Sequence, residues 1–271
     1  MTRVSFPGSR GAYGESAARS FFNELITTMP AETFSGALRM AEDGESKYAV
    51  IPIENMLEGV VGQSYDLLLS TPLLVAGEVY HPIRHCLIGL GKIGQANTVY
   101  SHPQALEQCR EFIESHGLRR MAASSTADSV KIVRDLNRVD TVCIASEAAS
   151  EIYGVPVMFR EISDHQRNYT RFFLMSKDMA DPAKRNKTSL VVSVRDEPGA
   201  LHDILVHFLE HGINITNMAS RPRRTGTWEY NFFIDFEGHS RNGNVQEMIS
   251  EIERRTDFLK LLGSYPAAPA P

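Results

Sequence analysis

The sequence predicts an α/β protein of two units, a larger one in which strands and helices alternate and a smaller one of order βαββαβ. A length of 271 residues exceeds the common size of one domain. Short apolar runs alternate with amphipathic stretches as far as Met175, and a second pattern of runs follows later in the chain. Residues 177–187 between them are polar, contain Pro182 and lack periodicity, so we place the domain boundary there.

The larger unit shows the βα rhythm of a sheet with helices on both faces. Its predicted strands are residues 4–6, 48–53, 98–100, 142–145, 155–159 and 171–175. Its predicted helices are residues 15–26, 61–69, 103–116, 126–136 and 146–153. We assign residues 1–178 to this unit.

The smaller unit has the element order of a ferredoxin-like fold. Strands are predicted at residues 189–194, 213–219, 227–236 and 258–262, and helices at residues 200–211 and 245–255. This assigns residues 188–266 to the second domain. Residues 267–271, rich in alanine and proline, are expected to form a disordered tail.

Composition and charge exclude several classes of protein. The net charge is -5, and the densest basic patch, residues 221–224, is short, which argues against a nucleic-acid or anionic-membrane surface. Three cysteines without a CxxC pair support neither a zinc knuckle nor a disulfide framework, and a reducing cytoplasm fits best. Neither a signal segment nor a membrane-spanning stretch is recognisable.

Two motif matches are rejected. Gly89, Gly91 and Gly94 match G-x-G-x-x-G, but a β-like run follows within a few residues, which leaves no room for the helix that a dinucleotide fingerprint must open. His81 and His85 have helical spacing, yet Pro82 lies between them, so a shared helical face for a metal ion is not expected. No metal ligand set is predicted.

A polar cluster stands where the last strand of the larger unit begins. Asn168, Thr170 and Arg171 precede an apolar run that starts with Phe172. The cluster indicates either a site for an anionic, oxygen-rich small molecule or a polar strand entry with a surface arginine. Period-two alternation puts Asn168 and Thr170 on one face and Arg171 on the other, so a bend would be needed to bring all three together.

Further candidates lie at the carboxyl ends of predicted strands, where βα folds bind ligands. Glu54 and Asn55 follow one strand and can orient a substrate hydroxyl, although capping of the next helix explains them equally well. Ser101, His102 and Gln104 form a predicted capping box around Pro103, with Ser101 as the N-cap. Thr126 begins another helix. Two positive helix ends at one edge of a sheet suit a dicarboxylate.

In the smaller unit, Pro198 and Gly199 stand at the entrance of the first helix, followed by Ala200 and Leu201. Free backbone N–H groups at such an entrance can hold a carboxylate. Ordinary helix-start chemistry explains the same residues.

The motifs Pro52-Ile53-Glu54-Asn55, Ser101-His102-Pro103-Gln104-Ala105-Leu106 and Thr170-Arg171-Phe172 occur together and in this order. In this respect the chain resembles the prephenate dehydratases. The second unit resembles their ACT regulatory domain in the Gly199-Ala200-Leu201 turn, in Asn214 and in Ser220-Arg221-Pro222. The resemblance covers nearly the whole chain. It implies a bilobal catalytic domain, similar to periplasmic binding proteins, with a cleft between the lobes, and, because no room remains before Val4 for a chorismate mutase domain, a monofunctional enzyme.

The family's reaction converts prephenate to phenylpyruvate, carbon dioxide and water, and needs no cofactor or metal. The resemblance implies a hydroxyl role for Thr170 in orienting or relaying a proton and a carboxylate clamp at Arg171. The implied site residues fall into three groups. The catalytic group is Asn168, Thr170, Arg171, Glu54 and Asn55; the substrate-binding group is Ser101, His102, Gln104, Thr126 and Phe172; and the group that binds phenylalanine is Gly199, Ala200, Leu201, Asn214, Ser220, Arg221 and Pro222.

Departures from the family pattern leave alternatives open. Met56 stands where a small hydroxyl residue is usual, so an arogenate dehydratase, or a cyclohexadienyl dehydratase of dual specificity, is an alternative. Ala219 replaces a usual glutamate, which predicts weaker feedback by phenylalanine. A non-catalytic amino-acid sensor and a related decarboxylase are further alternatives. The ACT resemblance implies a homodimer or homotetramer.

Overall fold

The computed structural model describes residues 1–22, 25–194, 197–223, 230–269 and 271. These residues form three β-sheets with helices packed against them. Among the described residues, no helix has the length and apolar character that crossing a membrane requires.

The elements of the first 176 residues follow the predicted βα rhythm with additions. In chain order they are β1 (Thr2–Pro7), α1 (Tyr13–Phe21), β2 (Ile26–Ala31), α2 (Phe34–Glu42), β3 (Tyr48–Asn55), β4 (Gly59–Val60), α3 (Gly62–Ser70), β5 (Leu74–Pro82), β6 (Cys86–Gly89), β7 (Thr98–Ser101), α4 (Pro103–Gln108), α5 (Arg110–Ser115), β8 (Arg119–Ala122), α6 (Thr126–Leu136), β9 (Thr141–Ala145), α7 (Glu147–Tyr153), β10 (Val157–Phe159) and β11 (Tyr169–Ser176).

These strands form two separate sheets rather than one. The first has the order β2-β1-β3-β11-β5, with β4 paired to β3, and the second has the order β10-β6-β9-β7-β8. The chain leaves the first sheet after β5 and returns to it as β11, which lies antiparallel between β3 and β5. Two chain segments therefore link two lobes, and the expected bilobal architecture is confirmed.

The C-terminal domain has the predicted βαββαβ order. Its elements are β12 (Asn186–Ser193), α8 (Ala200–Glu210), β13 (Ile215–Pro222), β14 (Tyr230–Glu237), α9 (Gly243–Glu253) and β15 (Phe258–Pro266). The sheet order is β13-β14-β12-β15, so β13 is an edge strand. The predicted start of the third strand, at residue 227, lies in 224–229, outside the described residues.

Several predicted boundaries shift. The helix predicted over residues 15–26 ends at Phe21, because Ile26 is buried in strand β2. Helix α2 was not predicted; Thr33 caps it by accepting from the backbone N–H of Gly36. The helix predicted over residues 103–116 is broken at buried Cys109, whose ψ of 28° is not helical.

The start of the predicted tail makes defined contacts. Ala267 donates its backbone N–H to the carbonyl of Arg185, and Ala268 donates to the Glu78 carboxylate. Residue 270 is outside the described part of the chain.

The C-terminal sheet packs face to face on the first sheet. One continuous apolar core joins them, and it includes Ile53, Leu68 and Phe173 from the first lobe and Val191, Phe233 and Leu262 from the C-terminal domain. The rings of Tyr65 and Phe233 meet edge to face, with centroids 4.7 Å apart. This core fixes the C-terminal domain against β3, β5 and β11, the strands that carry the residues discussed below.

A close backbone approach across this interface occurs at Gly263. A side-chain Cβ at this position would lie 2.3 Å from the Val75 carbonyl oxygen, and the φ of Gly263 is +149°. Both constraints require glycine.

We therefore expect Gly263→Ala to lower the free energy of unfolding by about 1–3 kcal/mol through overpacking. Differential scanning calorimetry should show the loss as a lower Tm. Gly243→Ala is the matched control, since a Cβ there meets nothing within 4 Å. Equal Tm values for the two variants would contradict this close packing.

Candidate active site

A cleft between the two lobes brings together most of the predicted catalytic and substrate-binding residues. It encloses about 230 Å³, somewhat less than a pocket for a drug-sized ligand, and so suits a small molecule. The predicted residues that line it are Asn55, His102, Gln104, Thr126, Thr170 and Phe172.

Thr170 and Asn55 face each other across the β3–β11 pair. The Asn55 Nδ2 donates to Thr170 Oγ1 at 2.9 Å and to Asn168 Oδ1 at 2.8 Å. The Asn55 Oδ1 accepts backbone N–H groups of Leu57 and Glu58, which fixes the orientation of the amide. Because Thr170 Oγ1 already accepts from Asn55, its own proton is available to donate; in the described part of the chain no acceptor for that proton is present.

A chain of hydrogen bonds extends from this pair to the second lobe. Asn168 donates to Gln108 Oε1 at 3.1 Å, and the same oxygen lies 3.0 Å from His85 Nε2. The other ring nitrogen of His85 lies 2.9 Å from the Tyr13 hydroxyl. Gln108 Nε2 donates to Glu58 at 2.8 Å. The network links β11 of one lobe to α4 of the other, and several of its members line the cleft.

Histidines in the cleft are neutral at neutral pH. Burial lowers the pKa of His85 to about 4. Burial also lowers the pKa of His102, against a smaller opposite effect of Glu58. Since Gln108 Oε1 can only accept, we assign the His85 proton to Nε2. Unprotonated Nδ1 then faces the Tyr13 hydroxyl, whose single proton has a second acceptor in the Arg84 carbonyl at 2.8 Å. His85 therefore serves as a fixed polar group rather than a cation.

Among the described residues that line the cleft, there is no lysine or arginine side chain to bind an anion. Instead, helices begin there: Tyr13 and Gly14 open α1, and Thr126 opens α6. Helix N-termini carry a partial positive charge and free N–H groups, which favour anions. The ends of α1 and α6 come from different lobes and can hold two carboxylates. The sequence predicts the ends of α4 and α6 as this pair, and α4 also begins at the cleft, with His102 and Gln104.

Arg171 is not in the cleft, contrary to the expectation of a carboxylate clamp. Strand alternation directs it to the opposite face of the first sheet, where it is 3% exposed. Its guanidinium contacts Glu78 at 2.7 Å, Asp235 at 2.5 Å and the Tyr265 hydroxyl at 3.1 Å. Burial alone would lower the pKa of Arg171, but the nearby Asp235, Tyr265 and Glu78 raise it, so the group stays charged.

Two further predicted residues point elsewhere. Glu54 pairs with Arg171 across the sheet and shares its face, and its Oε2 lies 3.4 Å from the Asn217 amide of the C-terminal domain. Ser101 is fully buried and donates to the Ile144 carbonyl at 2.6 Å. His102, rather than Ser101, caps α4, because β7 includes Ser101.

Sequence reasoning missed three residues of the site, namely Tyr13, His85 and Gln108. A signal existed for Gln108, since it follows Gln104 by one helical turn and so shares its face. His85 carried no local signal, because its partners lie 23 and 72 residues away.

The predicted effector segments lie in the C-terminal domain. Gly199 has a φ of +90° and precedes α8, while Ser220, Arg221 and Pro222 end the edge strand β13. The ends of β12 and β13 meet the same residue of β14, because Ser193 and Arg221 both pair with Asn231. Arg221 reaches the first lobe, where its guanidinium lies 3.4 Å from Asp66 and against Gly62.

Comparison with known families matches both parts of the chain. Residues 4–180 match the model of the prephenate dehydratase domain, and residues 188–254 match the ACT domain. A bifunctional chorismate mutase/prephenate dehydratase of Aquifex aeolicus is 36% identical over 98% of this chain and 74% of its own length. An arogenate dehydratase/prephenate dehydratase of Arabidopsis thaliana is 34% identical, over 97% and 72%.

Two solved structures share the fold along nearly the whole chain. A prephenate dehydratase from Arthrobacter aurescens in complex with L-Phe has a TM-score of 0.89 and 27% identity, covering 99% of this chain and 92% of its own. GqqA, described as a novel type of quorum quenching acylase, has a TM-score of 0.89 and 30% identity, covering 98% of both chains. Because residues 4–180 match the prephenate dehydratase domain and include every residue that lines this cleft, the chain belongs to the prephenate dehydratase family.

Proposed function

We propose that this protein converts prephenate to phenylpyruvate, carbon dioxide and water, and that L-phenylalanine regulates it through the ACT domain. The observation that carries the proposal is the Thr170 hydroxyl, which is oriented by Asn55 so that its proton can be donated in the cleft. The match to the prephenate dehydratase domain covers every residue of this cleft.

The chemistry requires one proton transfer and a change of charge. As the ring carboxylate leaves as carbon dioxide, its bonding electrons enter the ring and expel the ring hydroxyl, which must be protonated to leave as water. Thr170 orients or relays this proton; a threonine is too weak an acid to release it unaided. Positioned proton transfer of this kind contributes about 10²–10⁴-fold to the rate.

The remaining groups hold the substrate. The helix N-termini of α1 and α6 bind its two carboxylates without a formal cation, so the departing carboxylate loses its charge without breaking an ion pair. Phe172 and Pro52 supply apolar walls for the ring. Neutral His102 and Gln104 line the same cleft and provide polar contacts.

Arogenate is a second substrate to test, because a relative from Arabidopsis thaliana bears both names. Acyl hydrolysis, suggested by the GqqA description, has no support in the cleft. A threonine nucleophile needs a base within hydrogen-bonding reach, and the side-chain partner of Thr170 among the described residues is the Asn55 amide.

We also infer a homodimer, built through the edge strand β13. An unpaired edge is a natural surface for association, and the Ser220 to Pro222 segment ends this strand. Pairing two such edges would place the Gly199 turn of one subunit near the edge strand of the other, and so would form the phenylalanine site between subunits. Oligomer size is measurable by light scattering.

The contacts of helix α3 suggest how the effector signal reaches the cleft. At its C-terminal end, the ammonium of Lys260 in β15 donates to the carbonyls of Leu68, Leu69 and Thr71 at 2.9, 3.0 and 2.6 Å. At its other end, Arg221 contacts Asp66 and packs on Gly62. Val61, just before α3, lines the cleft.

Helix α3 is thus bound at both ends by cations of the ACT domain. A shift of Arg221 on effector binding would move the segment that carries Val61 and Glu58. Packed residues of α3 would thus transmit the shift from the effector segment to the substrate cleft, although the two ligands do not touch.

The activity itself is tested by incubating the purified protein with prephenate, with and without phenylalanine, and following phenylpyruvate by its absorbance in strong base. A parallel sample with arogenate is assayed for phenylalanine. We expect turnover of prephenate that phenylalanine slows. Turnover of arogenate alone would change the substrate assignment, and inactivity on both would contradict the proposal.

Thr170→Val keeps the volume of the side chain but removes the hydroxyl, so we expect kcat to fall by about 10²–10⁴-fold. Thr170→Ser retains a hydroxyl and should keep most of the activity. Circular dichroism of both variants should match the native protein. A valine variant as active as the serine variant would exclude Thr170 from proton transfer.

Lys260→Met removes three hydrogen bonds from the end of α3. We expect the concentration of phenylalanine for half inhibition to rise at least about fivefold, the lower range of allosteric coupling, with little change in the uninhibited rate. Lys177→Met, at an exposed position, is the control. Unchanged inhibition in Lys260→Met would disprove the α3 route.

A further inference from the structure

The two helices of the C-terminal domain carry a cluster of histidine and carboxylate side chains. These helices cover the face of the sheet opposite the first lobe: Leu190 and Val192 pack in their core, whereas Val191 packs in the core shared with the lobe. His207 and Glu210 lie on α8, and Glu251 lies on α9. Their ligand atoms all lie within 4.8 Å of one another.

The spacing of these atoms fits a tetrahedral metal ion. His207 Nδ1 lies 3.1 Å from Glu251 Oε2 and 3.6 Å from Glu210 Oε2. A zinc ion with bonds of about 2.0–2.1 Å separates its ligand atoms by about 3.3 Å. The three donors can therefore surround one ion with small side-chain adjustments.

The Nδ1 atom of His207 is covered from solvent and makes no well-directed hydrogen bond among the described residues, although Glu251 Oε2 lies 3.1 Å away. The His207 side chain is 12% exposed. A buried polar atom without a well-directed hydrogen bond costs free energy. A cation bound between His207 and the two carboxylates would satisfy it.

His211, one helical turn after His207, is held in the orientation of a metal ligand. Its Nδ1 lies 2.9 Å from Asn244 Oδ1, and the amide of Asn244 donates to the His211 carbonyl, which fixes Oδ1 as the acceptor of the ring N–H. The other nitrogen, Nε2, lies 3.0 Å from Glu251 Oε2. Metal-binding histidines usually donate their second N–H to an oxygen in this way.

We propose that His207, Glu210 and Glu251, with His211 as the fourth ligand, bind a divalent transition-metal ion such as Zn²⁺. Two imidazoles with two carboxylates favour zinc and its neighbours over Mg²⁺ or Ca²⁺, which prefer oxygen ligands. The ion links α8 to α9. Because α8 begins directly after Gly199, the site would stiffen the helix that follows the predicted effector turn.

Isothermal titration of chelator-treated protein with Zn²⁺ tests the site. We expect one equivalent to bind, and we expect His207→Gln to weaken binding at least about tenfold, since even the loss of an outer contact to a metal ligand has this effect. His202→Gln, an exposed histidine on the same helix, should bind Zn²⁺ as the native protein does. Binding should raise the Tm of the native protein and not that of His207→Gln.

The buried thiols of Cys109 and Cys143 do not compete with this site for zinc. Burial raises the pKa of the Cys109 and Cys143 thiols to about 12, so neither competes for the ion in the folded protein.

If circular dichroism shows that His207→Gln does not fold, Glu251→Gln, at a more exposed position, is measured in its place. Absence of binding at millimolar Zn²⁺, or equal affinity in the ligand variant and in His202→Gln, would overturn the proposal.

Discussion

The alternation of β11 is the constraint on which the rest of the structure depends. Successive residues of a strand point to opposite faces, so Thr170 enters the cleft while Arg171 enters the interface with the ACT domain. Phe172, two residues after Thr170, returns to the cleft. Three consecutive residues of β11 thus provide the hydroxyl proposed to orient or relay the proton, the main polar contact between domains and a wall of the substrate site.

Burial of Arg171 is tolerated because its charge is compensated and its hydrogen bonds are made. Arg171 and Lys187 face the carboxylates of Glu78 and Asp235. Ser189 donates to Asp235 and contacts the Tyr265 hydroxyl, which completes the cluster. Such a cluster adds little net stability over apolar packing, but removing one member leaves a buried charge unpaired at a cost of about 3–5 kcal/mol. The cluster therefore favours one arrangement of ACT domain and lobe.

Local patterns in the sequence predicted both domains, the element order of the C-terminal domain and the opposite faces of Thr170 and Arg171, but in the larger unit they missed α2 and several strands. They could not predict the partners of Arg171, since Asp235 and Tyr265 lie 64 and 94 residues away. The clamp assignment of Arg171 followed from the family resemblance and the chemistry of the guanidinium, while strand alternation left its geometry open. Glu54 was assigned from its position after a strand, but it pairs with Arg171 across the sheet and shares its face. Serine is a common N-cap residue, but Ser101 is buried at the end of β7, and His102 caps α4 instead. The sequence does show the helical spacing of His207 in α8 and His211 directly after it.

A double-mutant cycle between Arg171→Met and Asp235→Asn, with unfolding free energy and KM measured for each protein, tests the role of Arg171 most directly. The structure predicts a coupling of about 0.5–3 kcal/mol in unfolding and a KM for prephenate that stays within about threefold of the native value in both single variants. Absence of coupling, together with a large rise in KM for Arg171→Met alone, would show that Arg171 binds substrate and would contradict the account.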